Sequence, residues 1–135
     1  MAVPADADTV FGLLTRFATS YRPTRPDFDR CYPEVINDLL VATINDNNRK
    51  PVVGYALSVQ FVVLFASGPI VELQELMVDP DHRSRGVGAR LVDGVIGRAR
   101  AAGAKEVTVP TRRAVDYYRR LGFQETATYL KLSIS

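Results

Sequence analysis

The residue types that most often build reactive centres are nearly missing here. The 135-residue chain has one cysteine, Cys31, and one histidine, His82. A single cysteine closes no internal disulfide, and one residue of each kind cannot assemble a zinc site, so no metal is expected. With the histidine far off in sequence, Cys31 reads as a small half-buried apolar residue and not as a nucleophile. Long apolar runs are also absent. Nothing approaches the roughly 20 residues of a membrane span. The opening "MAVPADAD" lacks the basic start and apolar run of a signal peptide, so a cytoplasmic protein is expected. Nor does one sign of charge dominate. Seventeen Lys and Arg face fifteen Asp and Glu, a net charge of +2, which is too small to argue for a nucleic-acid or membrane partner. There is no internal repeat and no low-complexity segment.

What remains is an ordinary globular composition, 47% hydrophobic and 24% charged, on a length that fits one domain, residues 1–135, with a sizeable core. Asp8 is placed to cap a helix in which Val10, Leu13, Leu14 and Phe17 recur at i, i+3, i+4, i+7, ending near Ser20. "YRPTRPDFDR", with two prolines and mixed charges, reads as a loop. A second helix is expected over Asp29 to Leu39, on the spacing of Tyr32, Val35, Ile36 and Leu39. "LLVATI", "PVVGYALSVQFVVLF" and "IVELQELMV" read as strands. Gly54 inside the second marks a bulge or a close backbone approach. From Val87 to Ala102, Leu91, Val95 and Ala99 step by four along a helix closed by Gly103. Gly94 and Gly97 within it are read as sites of close packing on a sheet. "KEVTVP" is a strand, Thr111 caps a short helix through Leu121 that Gly122 ends, and "ATYLKLSIS" alternates as a last strand. The order predicts an α/β (α+β) fold, a mixed sheet with helices on its faces.

One stretch carries more than structure. In "RSRGVGARL", Arg83 to Leu91, two glycines and two arginines stand at the mouth of a helix. A dinucleotide fingerprint fails, because Leu91 stands where its third glycine belongs and a seven-residue polar loop separates the glycines from the strand. A P-loop fails for want of Gly-Lys-Ser/Thr. The alternatives are a plain helix entry or an anion cradle, in which unpaired N–H groups and the positive end of the helix dipole meet an anion and glycine keeps side chains away.

The wider phrase "LMVDPDHRSRGVGARL" resembles the cofactor-binding motif of the GNAT superfamily of N-acetyltransferases, with Arg83, Gly86 and Gly88 at the fixed positions. A second family phrase, Ala-x-x-x-Tyr-x-x-x-Gly-Phe, appears as "AVDYYRRLGF", Ala114 to Phe123. The resemblance is strong over Val71 to Ser135 and weaker before it. "AVPADAD" looks like only the end of the family's first strand. Thr111 stands where many members carry an asparagine that contacts the cofactor, so that role is not carried over.

The resemblance implies a mostly antiparallel sheet, splayed where the "LMV" strand bulges and parts from "VTV". It implies acetyl-coenzyme A as cosubstrate, held by Leu76, Met77, Val78, Arg83, Ser84, Arg85, Gly86, Val87, Gly88 and Ala89. The N–H of Val78 or its neighbour would polarise the acetyl carbonyl. Tyr118, four residues before Gly122, becomes the acid for the departing thiolate, since a phenol with pKa near 10 stays protonated at neutral pH. Tyr117 is its rival by sequence alone, at the family's packing position. For the base, Glu72 lies six residues before Val78, the offset of the catalytic glutamate in the histone acetyltransferase branch. Glu75 is the alternative, on the other side of an unbulged strand, and water a third. His82 reads as a solvated loop residue. "RRAVDYYRR" reads as a solvated helix face with some arginines near the adenosine phosphate, and not as a nucleic-acid site.

The implied activity is acetyl transfer to a primary amine of a small molecule or peptide, in a pocket walled by Tyr21, Phe28 and Tyr32, with Asp27 and Asp29 drawing in a cation. A non-catalytic acyl-coenzyme A-binding regulatory module is the alternative. Homodimers are common in the family, so a homodimer is an expectation as well.

Overall fold

The computed structural model describes residues 1–17 and 21–134. In chain order the elements are α1 (Ala7–Phe17), α2 (Arg25–Val35), β1 (Leu39–Thr43), β2 (Val52–Val63), β3 (Gly68–Val78), α3 (Val87–Ala101), β4 (Val107–Thr108) and α4 (Val115–Arg120). The sheet runs β1-β2-β3-β4. Its first three strands are antiparallel neighbours, and β4 joins β3 in parallel. This is the mixed sheet that the element order predicts, mostly antiparallel as the resemblance implies.

Strand alternation sorts the side chains onto two faces. On one, Ala56, Val71 and Leu73 pack with Leu91, Val92, Val95 and Ala99 of α3. On the other, Leu39 and Tyr55 pack with Val10 and Leu13 of α1 and Tyr32 of α2. Each aliphatic side chain buried this way stabilises the fold by roughly 1.5–3 kcal/mol. Gly94 allows α3 to lie close on β1, since a Cβ there would stand 3.0 Å from Leu40 Cδ1. Gly97 meets nothing within 4 Å and does not serve that purpose.

The helix starts differ from the sequence reading for a local reason. A 3-10 turn, Pro4–Asp6, leads directly into α1, and the Asp6 carboxylate accepts from the Val3 N–H at 2.9 Å. Asp6 thus reaches back to the residue before the turn, and Asp8, expected as the cap of α1, instead pairs with Arg25 at 2.7 Å. The expected end of α1 near Ser20 lies outside the described residues. α2 begins four residues early because Thr24 caps it, accepting from the Asp27 N–H, and Pro26 fits its first turn. Six of the ten residues of the supposed loop, Arg25 to Arg30, are thus helix. Cys31 of α2 is exposed, not half-buried. At the start of the chain, one hydrogen bond, Ala2 N–H to Leu39 O at 2.9 Å, joins it to the edge of β1.

The expected last strand does not form. Residues 124–134 join no ladder, because alternation alone makes no strand without a partner edge to pair with. Instead the tail lies exposed along the surface, touching the rest of the chain through polar side chains. The Tyr129 hydroxyl reaches Glu72 at 3.2 Å, and Lys131 Nζ lies 5.8 Å from the centre of the Tyr21 ring. Leu130, Leu132 and Ile134 face outward, 85%, 88% and 96% exposed. Among the described residues, no helix is long and apolar enough to cross a membrane.

Candidate functional site

The loop between β3 and α3 is built to present bare backbone. The Asp79 N–H holds Val53 O at 2.7 Å, and the Asp79 carboxylate accepts from the Asp81 N–H at 2.9 Å, starting a 3-10 turn over Pro80–His82. Ser84 and Gly86 then take left-handed backbone, φ 65° and 76°. Gly86 is the N-cap of α3 and supplies no side-chain cap. The first intrahelical bond runs from the Arg90 N–H back to Gly86 O at 3.0 Å, so the N–H groups of Val87, Gly88 and Ala89 have no intrahelical partner, and no acceptor among the described residues, at the positive end of a fifteen-residue helix. Gly88 is tightly constrained. A Cβ there would stand 2.5 Å from the Tyr117 hydroxyl. Gly54 is the predicted close approach: its Cβ would meet Met77 O at 2.9 Å. Of the two arginines, Arg83 lies over the Phe17 ring, 4.9 Å from its centre, and Arg85 is exposed.

β3 and β4 pair only at Val71 with Val107 and Glu72 with Thr108. Among the described residues, that edge of β3 has no partner strand from Leu73 to Val78, and it leads straight to the mouth of α3. Leu76 and Val78 pack toward α3, and Met77 packs toward α1 and α2.

The bulge falls earlier than "LMV". Leu57 pairs with Glu75 and Ser58 with Leu73, which leaves Gln74 as the extra residue. An inserted residue reverses the alternation. Glu72 and Glu75 therefore share one face, the α1–α2 face, where an unbulged strand would part them. Glu72 accepts from Gln74 Nε2 at 2.7 Å, from the Tyr129 hydroxyl at 3.2 Å and from the Thr108 hydroxyl at 3.4 Å. Its charge and hydrogen bond push the Tyr129 phenol above its ordinary pKa. Glu75 Oε1 accepts from the Tyr55 hydroxyl at 2.7 Å. Burial, then the Glu75 charge, pushes that phenol far up. Glu75 also lines a cavity of about 240 Å³ between α1, α2 and the sheet, with Leu14, Phe28, Tyr32 and Leu57.

Tyr118 is buried in the α3 core, its ring edge-on to Tyr117 at 5.2 Å and to Phe123 at 5.5 Å. Its hydroxyl has no hydrogen-bond partner among the described residues. Burial raises its pKa, with a smaller push from Tyr117. Tyr117 packs against the start of α3, and its hydroxyl is the atom that a Cβ on Gly88 would meet first. Burial raises its pKa too, and Arg120 opposes this.

Other expectations change. His82 is only partly solvated: its side chain is 22% exposed, and its Nδ1 is buried without a hydrogen bond among the described residues, 3.9 Å from Asp79 Oδ1. Of the acceptor-wall residues, Phe28 and Tyr32 line the cavity, as does Asp27. Tyr21 stands apart under Lys131. Asp27 is engaged by Arg30 at 2.7 Å, and Asp29 by Arg25 at 2.8 Å. Arg119 is paired with Asp116 and Glu125. Among the described residues, no three His, Cys, Asp or Glu side chains cluster as metal ligands would. Sequence reasoning missed Tyr55 and Tyr129. Nothing local marks them, because their partners lie 20 and 57 residues away.

The sequence model of the acetyltransferase (GNAT) family matches residues 8–123. An uncharacterized N-acetyltransferase of Methanocaldococcus jannaschii is 34% identical over 82 residues, 58% of this chain and 36% of that protein. The chain thus spans about a third of that relative's length. Solved structures share the fold. Glucosamine-6-phosphate N-acetyltransferase from Arabidopsis thaliana superposes with a TM-score of 0.81 at 15% identity, over 99% of this chain and 95% of that one. An aminoglycoside N-acetyltransferase in complex with CoA gives 0.79 at 19% identity, over 98% and 91%.

Proposed function

Because the chain belongs to the acetyltransferase (GNAT) family, we propose that it moves the acetyl group of acetyl-coenzyme A to a primary amine by direct attack in a ternary complex. The observation that carries this reading is the continuity of cradle and slot. An uncapped helix mouth, kept bare by Gly86 and Gly88, stands at the end of a strand edge that has lost its partner from Leu73 to Val78. The pyrophosphate would lie on the N–H groups of Val87, Gly88 and Ala89, with Arg83, Ser84 and Arg85 around it. The pantetheine arm would complete the ladder along Leu76, Met77 and Val78. Donors of fixed backbone suit an oxyanion, because they need no reorganisation as charge develops.

The amine gives up its proton, its nitrogen attacks the thioester carbonyl, and the carbon–sulfur bond breaks. Glu72 is proposed as the base, with Glu75 as the competing carboxylate now that both share the acceptor face. Tyr118 would give its proton to the thiolate. Its raised pKa keeps it protonated through neutral pH, and its hydroxyl is free to donate.

A homodimer is part of the proposal. The accessible surface is 9532 Å², about a third above the ~7,000 Å² expected of a monomer of this mass. The outward leucines of the tail are natural candidates for cover by a second copy.

Calorimetry with acetyl-coenzyme A, followed by thiol release with an amine panel, tests the activity. Saturable binding with amine-dependent release is expected. Binding without release from any amine would favour the regulatory module instead.

A further inference from the structure

We infer that the acceptor is a monoamine carried on an apolar or aromatic stem, seated between α1, α2 and the sheet with its nitrogen at Glu75. This rests on the proposed acetyl transfer and narrows its substrate. The cavity is about 240 Å³, below the usual range of roughly 300–1,000 Å³ for ligand pockets, so it takes a small molecule or one short side chain. Its walls are apolar and partly aromatic. Phe28 and Tyr32 lie 5.2 Å apart, and Leu14 and Leu57 close the sides.

The charge inside is sparse. Two carboxylates line the cavity, Asp27 and Glu75. Asp27 is already taken by Arg30 at 2.7 Å and by the Thr24 hydroxyl at 3.0 Å. Glu75 has no cation partner among the described residues. Its Oε1 is held by the Tyr55 hydroxyl, and Tyr55 is almost fully buried, so the carboxylate is anchored from inside. Oε2 remains to accept from an ammonium group. One free carboxylate balances one ammonium group. A polyamine or aminoglycoside would strand further charges against hydrocarbon, at a high desolvation cost. An acidic acceptor would meet Glu75 and Asp27 as like charges. The bulge at Gln74 makes this geometry, turning Glu75 onto the α1–α2 face beside the open edge of β3.

The test compares kcat/KM for phenethylamine, hexylamine, spermidine and kanamycin at fixed acetyl-coenzyme A, with cofactor affinity measured separately. Phenethylamine or hexylamine should lead spermidine and kanamycin by at least tenfold. Glu75→Gln should raise KM for phenethylamine at least tenfold and leave acetyl-coenzyme A affinity unchanged. Leu14→Asp, which adds a second carboxylate, should move the preference toward spermidine. If acetyl-coenzyme A binds and spermidine or kanamycin is the better acceptor, this inference falls and the activity stands. An unchanged phenethylamine KM in Glu75→Gln also overturns it. If acetyl-coenzyme A does not bind at all, the proposed activity fails and takes the inference with it.

Discussion

Consider the replacement of Gly88 by alanine. The new Cβ would stand 2.5 Å from the Tyr117 hydroxyl, 3.6 Å from the ring carbon that bears it and 3.7 Å from a Val78 methyl. The last two are ordinary contacts, so only the hydroxyl must give way. It is the tip of a half-buried side chain, which puts the cost near the low end of the ~1–3 kcal/mol of overpacking. Alanine's better helix propensity returns up to ~1 kcal/mol. The fold should survive with nearly its full stability. Cofactor affinity should not. Losing close approach at one N–H forfeits one hydrogen bond to a charged group, ~1.5–3 kcal/mol, or roughly 10- to 100-fold in Kd. Gly88→Asp adds a negative charge at the phosphate site and should cost at least as much. Titration calorimetry with acetyl-coenzyme A measures both, and circular dichroism checks the fold. Tyr117→Phe is the decisive background, since it removes only the crowded hydroxyl. There, Gly88→Ala should regain its thermal stability but keep its weak binding. Recovery of affinity in the double variant would mean that the loss ran through Tyr117 and not through the cradle. Unchanged affinity in Gly88→Asp would remove the cradle from the account.

Four further outcomes are expected. Tyr118→Phe should slow the chemical step by roughly 10²–10⁴-fold in single-turnover experiments, the usual worth of a positioned general acid, while Tyr117→Phe does little; equal small losses in both would return the pair to packing. Glu72→Gln should lower kcat/KM and flatten its rise with pH; if Glu75→Gln alone does so, the proton goes to Glu75, and if neither does, to water. Tyr55 has a folded pKa raised far above 10, so the stability its protonated phenol contributes is complete below about pH 10 and is lost as pH rises beyond it; the Tm of Tyr55→Phe should fall less steeply above pH 10 than that of the parent, and parallel curves would refute this. Leu132→Glu should convert a dimer to a folded monomer by light scattering, and a parent already monomeric would end the dimer proposal.

The bare mouth of α3 was legible because its signals are local. Glycine at Gly86 and Gly88, arginine beside them and the helical pattern that follows all sit within nine residues. The helix beginning at Arg25 was hidden by its prolines. Pro26 is tolerated in a first turn, where the lost N–H has no intrahelical partner in any case, and the cap that starts the helix is the neighbouring Thr24. The pairing of Glu72 and Glu75 on one face could not be read from β3 alone. It depends on which residue of β2 each one meets, and a single unpaired residue, Gln74, reverses the answer. The tail shows the converse. Its alternation is real, but a strand is a property of two chains of backbone, and residues 124–134 have no such neighbour here.

The central claim is direct transfer from thioester to amine, and a rapid-quench single turnover with acetyl-coenzyme A labelled in its acetyl group tests it most directly. With phenethylamine present, one label per protein should appear in the N-acetylated amine as one free thiol is released. With the amine omitted, the protein itself should stay unlabelled by intact mass. A labelled protein that forms first and passes its label on would contradict direct attack, and thiol release without labelled amine would contradict acetyl transfer altogether.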